Sequence, residues 1–316
     1  MYSNPKITFM CVTYNRCKML QNMLNSFVRA NTYENFEWVI LEHDCTDGTS
    51  EFLDNIHKYP QFNVLKGKLK IIHDVEKPYL DFLSRSNKKI DLSTSIKRQF
   101  AFFGKFRNDI INQTDGDILI DIPDDHQFVY HGNWCQDIID VFNDRIERTG
   151  KNDVSLITFK TRFAYRIAKS NNRCGDVLST KKGFEYYIVE TSKAHEDWHA
   201  MSRENFEKAG LYPLLENASD DLIEKWNESS YHSNFHHDYL SSKLFELGLK
   251  RIMTKLPIMH DCGDSKWADH AGLNKTIFEV CASAKEFKSR YDHLRGRVSM
   301  EEFETMNQIV SNSIFK

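Results

Sequence analysis

The sequence predicts an α/β protein built on a mostly parallel central sheet covered by helices. Ile7-Thr8-Phe9-Met10-Cys11-Val12 is an apolar, β-prone run that ends at a polar turn, Thr13-Tyr14-Asn15. Met19, Leu20, Met23, Leu24, Phe27 and Val28 then recur at helical spacing with polar residues between them. Trp38-Val39-Ile40-Leu41 is a second short apolar run, stopped by the polar cluster Glu42 to Gly48. Strand, helix and strand within about 40 residues make one βαβ unit, which calls for a parallel sheet.

The remaining elements follow in order. Leu69 to Ile72 reads as a third strand. Glu76 to Thr94 lacks clean periodicity and reads as a loop or insertion, with a helix following from about Ser95 to Asn112. Ile118 to Ile122 is another strand, ending at Pro123-Asp124-Asp125. Beyond it, Asn133 to Asn143 reads as helix, and Val154 to Lys160 and Phe184 to Val189 as strands. Helices are expected at Ser202 to Ala209 and His237 to Leu247, and a last strand from Leu249 to Leu256 leads to His260. From Lys275 onward the chain is polar and helix-prone. No repeat or low-complexity linker divides it, so the expectation is one domain with two halves, 1–145 and 146–272, and a helical extension over 273–316.

Composition narrows the function. The 316 residues are 41% hydrophobic and 28% charged, as in an ordinary folded domain. A net charge of −3 argues against nucleic acid as a partner. No stretch approaches the roughly 20 apolar residues of a membrane span. Seven cysteines, an odd number with no CxxC pair, read as reduced thiols. With no leader-like segment before the first strand, the expectation is a cytoplasmic protein, at most peripheral at a membrane.

Ligands of open α/β sheets bind at the carboxyl ends of the strands. Three polar clusters directly follow predicted strands: Thr13-Tyr14-Asn15, Glu42 to Asp47, and Pro123-Asp124-Asp125-His126. Each alone reads equally as a solvated turn; together they mark one site. The adjacent carboxylates Asp124 and Asp125 repel each other unless a cation relieves them, and hard oxygen ligands suit Mg²⁺ or Mn²⁺. His126 is either a third ligand or a surface residue, and the surface reading is preferred.

These segments resemble the family 2 glycosyltransferases, a large inverting group with the GT-A fold. Thr13-Tyr14-Asn15-Arg16 resembles the family's T-Y-N-R turn, and Cys45-Thr46-Asp47-Gly48-Thr49 its S-T-D-G-T. Phe106-Arg107-Asn108 resembles its A-R-N segment, Thr114 to Leu119 the entry to its metal strand, and Asp124-Asp125 falls at its D-x-D. The matches run in order over roughly residues 6 to 145. The resemblance implies a Rossmann-like GT-A sheet and a hexosyl-type transferase using a nucleotide-sugar donor and Mn²⁺ or Mg²⁺. Val12, Thr13 and Tyr14 would line the nucleotide pocket, with the Tyr14 ring on the base. Glu42 and His43 stand where most members carry an acid pair for base and ribose. Arg107 would approach the diphosphate, Asp124 the ribose, and Asp125 the metal, with His260 resembling a further metal ligand of some members. The acceptor would be a glycan or lipid-linked hydroxyl.

The departures are specific. Pro123 replaces the first acid of D-x-D; Asp121, on the same side of the strand, either compensates or makes a buried polar contact. The stretch from Asp47 to Arg107 is longer than usual. The base that deprotonates the acceptor belongs, by resemblance, at the start of the helix holding His236-His237-Asp238, and Asp238 is the candidate. Asp220-Asp221 and Glu196-Asp197 are the alternatives, and Asp238 as a plain helix cap is the bland one. Trp198 and His199 resemble the border of the acceptor pocket. A retaining GT-A transferase and a catalytically inactive GT-A-like glycan- or partner-binding protein are the competing functions. The C-terminal helices are candidates for homo-oligomerisation.

Overall fold

A computed structural model describes residues 1–74, 76–93, 97, 101–128, 133–159, 174–189, 199–228, 232–255 and 259–261. The expected extension over 273–316 lies outside them.

The first βαβ unit forms as the sequence dictates. β1 (Ile7–Thr13) is buried along nearly its whole length, as the centre of a parallel sheet must be. α1 (Cys17–Ala30) turns Leu20, Met23, Leu24 and Phe27 inward. β2 (Phe36–His43) pairs with β1 in parallel, Phe9 opposite Trp38 and Thr13 opposite Glu42. A short α2 (Thr49–Asp54) and two 3-10 turns lead to β3 (Leu69–Asp74) at the sheet edge, parallel to β2. Glu76 to Thr94 is not wholly a loop, because α3 (Glu76–Ser84) occupies its first part. Tyr79 and Leu83, buried on one side of that helix, hold it against the sheet. α4 (Phe103–Asn112) then precedes β4 (Ile118–Asp121), which pairs in parallel with the other side of β1.

The second half extends the same sheet. β5 (His126–Phe128), α5 (Trp134–Thr149), β6 (Val154–Thr158), β7 (Cys174–Ser179) and β8 (Glu185–Val189) come first. β9 (His199–Ser202), α6 (Arg203–Ala209), α7 (Asp220–Glu228), α8 (His232–Glu246), β10 (Lys250–Thr254) and β11 (Met259–Asp261) complete the described elements. Among the described residues the order is β3-β2-β1-β4-β9-β6-β10-β8-β7, with β11 and β5 forming a separate two-stranded ribbon. β9 is antiparallel to both β4 and β6, and β8 to both β10 and β7; the other strands run with β1. The mostly parallel central sheet flanked by helices is therefore as the sequence predicts. α8 starts at His232 rather than His237, which puts Asp238 in its second turn and removes its reading as a helix cap.

Alternation along β1 divides the core between the two faces. Phe9 packs on Phe27, Trp38 and Trp134, with ring centroids 4.8, 5.1 and 5.7 Å apart, under α1 and α5. Met10, on the opposite face, joins Phe102, Phe106 and Ile110 under α4 and, further along, Met201, Trp226 and Leu240. Helices on both faces leave the carboxyl edge of the sheet as the open side.

Entry to β4 depends on one close approach. Gly116 passes β1 so tightly that a Cβ there would sit 2.3 Å from Thr8 Oγ1 and 2.8 Å from its backbone nitrogen. Asp117 then accepts from the Lys6 amide at 2.9 Å and fixes the register. Gly116→Ala is expected to destabilise the fold by about 2–3 kcal/mol through overpacking. The urea midpoint checks this; an unchanged midpoint would mean β1 and β4 are more loosely apposed than described.

Candidate donor site at the carboxyl edge of the sheet

The loops after β1 and β2 are bolted together. Asn15 and Asp44 both adopt positive φ, 51° and 47°, a backbone that Asn and Asp tolerate better than most residues. The Asn15 amide donates to Cys45 Sγ at 3.1 Å, and the Thr46 amide donates to Asn15 Oδ1 at 2.7 Å. Asp47 reaches across to accept from the Cys17 amide at 2.9 Å, capping α1, while it also accepts from the Thr49 amide. Burial opposes ionisation of Asp47, but these hydrogen bonds prevail and hold its pKa below the usual carboxylate value. The Asp-Gly turn thus has a scaffold role, and Gly48, at φ 92°, supplies the left-handed residue it needs.

The loop after β4 joins the same place. Thr13 Oγ1 donates to Asp124 Oδ2 at 2.8 Å. Arg16 Nη1 donates to Asp125 Oδ2 at 2.8 Å and to Asp124 Oδ1 at 3.2 Å, so one cationic nitrogen is shared by both carboxylates. His126 Nδ1 donates to Asp125 Oδ1 at 2.8 Å. Burial raises the pKa of Asp124, Arg16 pulls it back in part, and the neighbouring Asp125 pushes it up further. For Asp125 burial is again the largest influence, but Arg16 and His126 outweigh it and hold the carboxyl at about 2. Of the two carboxyls, Asp124 is the harder to ionise. His126 is 2% exposed, so the surface reading of this residue is wrong. β5 carries it inward because its backbone is covered by β11, a pairing between distant segments that local sequence does not announce.

Asp121 is the last residue of β4, and Arg107 reaches it from α4. Arg107 is 3% exposed; its Nε donates to Asp121 Oδ2, and its guanidinium carbon lies 3.3 Å from the Phe103 ring centroid. Of the two readings of Asp121, the structure gives the buried polar contact. The partly exposed arginine that bridges Asp124 and Asp125 is Arg16, from the T-Y-N-R turn.

His199 stands opposite Asp121 across the β4–β9 pair. Burial, then Arg107, then Arg251 lower its pKa from 6.5 to about 3, so it is neutral in the folded chain. The unfolded chain binds one more proton there at every pH between those two values. Stability therefore falls as pH drops from about 6.5, by up to about 1.4 kcal/mol per pH unit, and gains nothing from this group above it. His199→Gln is expected to lose about 2 kcal/mol less than wild type between pH 7 and pH 5 in urea unfolding. Equal losses would show that His199 is not held neutral.

On the β2 side, Glu42 is buried. It accepts from the Cys45 amide at 2.5 Å and from His73 Nδ1 at 3.0 Å; these bonds outweigh burial and lower its pKa. The His43 ring lies 4.9 Å from Phe102 and 4.6 Å from Phe106. Tyr14 lies 5.6 Å above it and is 40% exposed, which leaves ring surface open at the mouth of the site. Val12 is partly exposed beneath. Thr13, Arg16, Asp124 and Asp125 are thus brought into contact, and Tyr14 lies tilted against His43 at the end of the neighbouring strand.

The residues expected in the second half are placed less completely. His260 lies on β11 opposite Gln127, one pair away from the Asp261–His126 pair; its backbone therefore runs beside the strand that follows Asp125. Its side chain, and that of Asp238, lie outside the described residues, as do Glu196, Asp197 and Trp198. Asp220 and Asp221 are exposed at the start of α7. His236, two residues before Asp238, is fully buried and donates from Nδ1 to the Pro213 carbonyl at 3.1 Å.

Among the described residues no group of three or more His, Cys, Asp or Glu side chains gathers as a metal centre. The donor chemistry nonetheless fits a divalent cation: two hard carboxylates converge on a single cationic atom, Arg16 Nη1.

Comparison with known proteins bears out the family resemblance. Residues 8–77, from β1 to the start of α3, match the family model Glycosyl transferase family 2. No curated protein matches the chain. Among solved structures, S. aureus TarS is 12% identical with a TM-score of 0.48, the match covering 98% of this chain and 42% of that one. This chain thus spans less than half the length of that protein. A mannosyltransferase, PcManGT from Pyrobaculum calidifontis, in complex with GDP-Man and Mn²⁺, is 12% identical with a TM-score of 0.48, over 98% of this chain and 70% of that one. TarS 1-349 in complex with UDP-GlcNAc is 13% identical with a TM-score of 0.44, over 98% and 71%. Among the described residues no helix is long and apolar enough to cross a membrane.

Proposed function

We propose that this protein is a metal-dependent, inverting glycosyltransferase of hexosyl type. It would transfer a sugar from a nucleoside-diphosphate sugar to a hydroxyl of a glycan or lipid-linked acceptor. The observation that carries this is the pair Asp124, buried, and Asp125, partly buried, which share one cation at the edge where the loops after β1, β2 and β4 meet. The family 2 match over residues 8–77 covers two of those three loops.

In this reading, residues 1–145 bind the donor and 146–272 the acceptor. The exposed Tyr14 ring stacks on the base, Val12 and Thr13 line its pocket, and Glu42 and His43 border base and ribose. Asp124 contacts the ribose, and Asp125 with His260 holds Mn²⁺ or Mg²⁺. When bound, the cation offsets charge on the departing diphosphate. Arg107 adds fixed positive charge from below. Asp238 takes the proton from the acceptor hydroxyl as its oxygen bonds to the anomeric carbon and the bond to the diphosphate oxygen breaks. A cytoplasmic setting suits the free thiols of Cys11, Cys17, Cys45 and Cys135.

The test is release of nucleoside diphosphate from a panel of UDP-, GDP- and dTDP-sugars with Mn²⁺ or Mg²⁺. Slow hydrolysis of one donor, lost with EDTA, is expected. No turnover of any donor with either cation would move the protein to the inactive, ligand-binding class.

A further inference from the structure

Arg16 is placed unlike an ordinary surface arginine. It sits in the turn between β1 and α1, and its side chain reaches over two carboxylates that are far less exposed than it is: 30% for Arg16 against 6% for Asp124 and 13% for Asp125. Its Nη1 donates to both acids at once, at 3.2 Å to Asp124 and 2.8 Å to Asp125. Two anions held side by side in a poorly solvated pocket require a positive charge between them. In the chain alone, Arg16 bridges both carboxylates, with His126 beside Asp125.

The position cannot hold two cations. A divalent ion that takes oxygens from Asp124 and Asp125 meets the guanidinium at the same point, and like charges at such a distance repel strongly. Arg16 must then leave, but its backbone is tethered beside Thr13 and Tyr14, next to the proposed nucleotide pocket. A displaced guanidinium there finds a diphosphate within reach, and the planar fork of donors suits phosphate oxygens.

We infer that Arg16 exchanges partners: it neutralises Asp124 and Asp125 in the empty protein, and grips the donor's diphosphate once a divalent cation has displaced it. This rests on the glycosyltransferase reading of the site. It makes the cation and the nucleotide cooperative ligands through one side chain, because the cation both competes with Arg16 and frees it.

Calorimetric titration tests the two halves separately, with Mn²⁺ alone and with UDP, GDP and dTDP in saturating Mn²⁺. Arg16→Ala and Arg16→Gln are expected to bind Mn²⁺ alone roughly tenfold tighter than wild type, and the preferred nucleotide roughly tenfold weaker. Arg16→Lys, which keeps the charge, stays near wild type for Mn²⁺ alone. Arg16→Gln retains a polar group over the carboxylates, and its thermal melt shows whether a loss of binding is a loss of fold. Mn²⁺ affinity that is unchanged or weaker in a folded Arg16→Gln overturns the exchange. Tighter Mn²⁺ with unchanged nucleotide affinity overturns the diphosphate contact. Wild type that binds Mn²⁺ but no nucleotide overturns the glycosyltransferase reading instead, and the Mn²⁺ arm still reports on Arg16.

Discussion

Asp125→Ala is expected to reduce nucleoside diphosphate release from the productive donor by about a hundredfold or more. The size follows from the state of this carboxyl. Arg16 and His126 hold its pKa below the usual carboxylate value against burial, so the site favours its anionic form. Asp124 is a poor replacement, because burial opposes its ionisation and one of its oxygens is engaged by Thr13. Removal also leaves His126, 2% exposed, without the carboxylate it donates to. Asp125→Asn keeps the size and one acceptor oxygen, so it separates charge from shape. Both variants should lose activity, and Asn should retain more thermal stability than Ala. Activity that survives in Asp125→Asn within about threefold of wild type would remove Asp125 from the donor chemistry.

Asp121→Ala is expected to destabilise the protein by about 3–5 kcal/mol, the range seen when one partner of a buried ion pair is deleted. Arg107 would keep its charge under the sheet edge with the Phe103 ring on one side and no carboxylate facing Nε. His199 across the strand pair offers no help: it is neutral, and its low pKa reflects the positive charge of Arg107 after burial itself. Burial even pushes the Asp121 carboxyl upward, with Arg107 only partly restoring it, so the pair gains little over an apolar one. The double variant Asp121→Leu with Arg107→Met is therefore expected to recover most of the lost stability while losing the proposed electrostatic support of the donor. Urea unfolding of the two variants checks this. A loss below about 1 kcal/mol for Asp121→Ala would mean that water reaches Arg107.

What was legible in the sequence divides along physical lines. β1, β2 and β4 are buried on both faces by helices, so they appear as unbroken apolar runs; the carboxylates at the end of β4 stand out against that background. β9 is invisible by the same criterion. His199-Ala200-Met201-Ser202 has no β-branched residue, and it is a strand because β4 and β6 supply hydrogen-bond partners on both sides. α3 was missed because Tyr79 and Leu83 anchor a short helix without a full periodic stripe. Arg16 is not legible as a site residue, since a charged side chain in a turn ordinarily points to solvent. Its partners lie more than 100 residues away. His126 was misplaced for a related reason, its cover coming from β11 at the far end of the described chain.

The position of β9 also bears on how the chain is made. During synthesis β4 emerges well before the strand that will lie along its outer side, and β6 follows β4 without being its neighbour. Until residue 202 has left the ribosome, the backbone of β4 offers an unpaired row of donors and acceptors, the kind of template on which nascent chains mispair. The sheet thus reaches closure late, and the stretch between β4 and β9 is the interval in which a growing chain most needs protection.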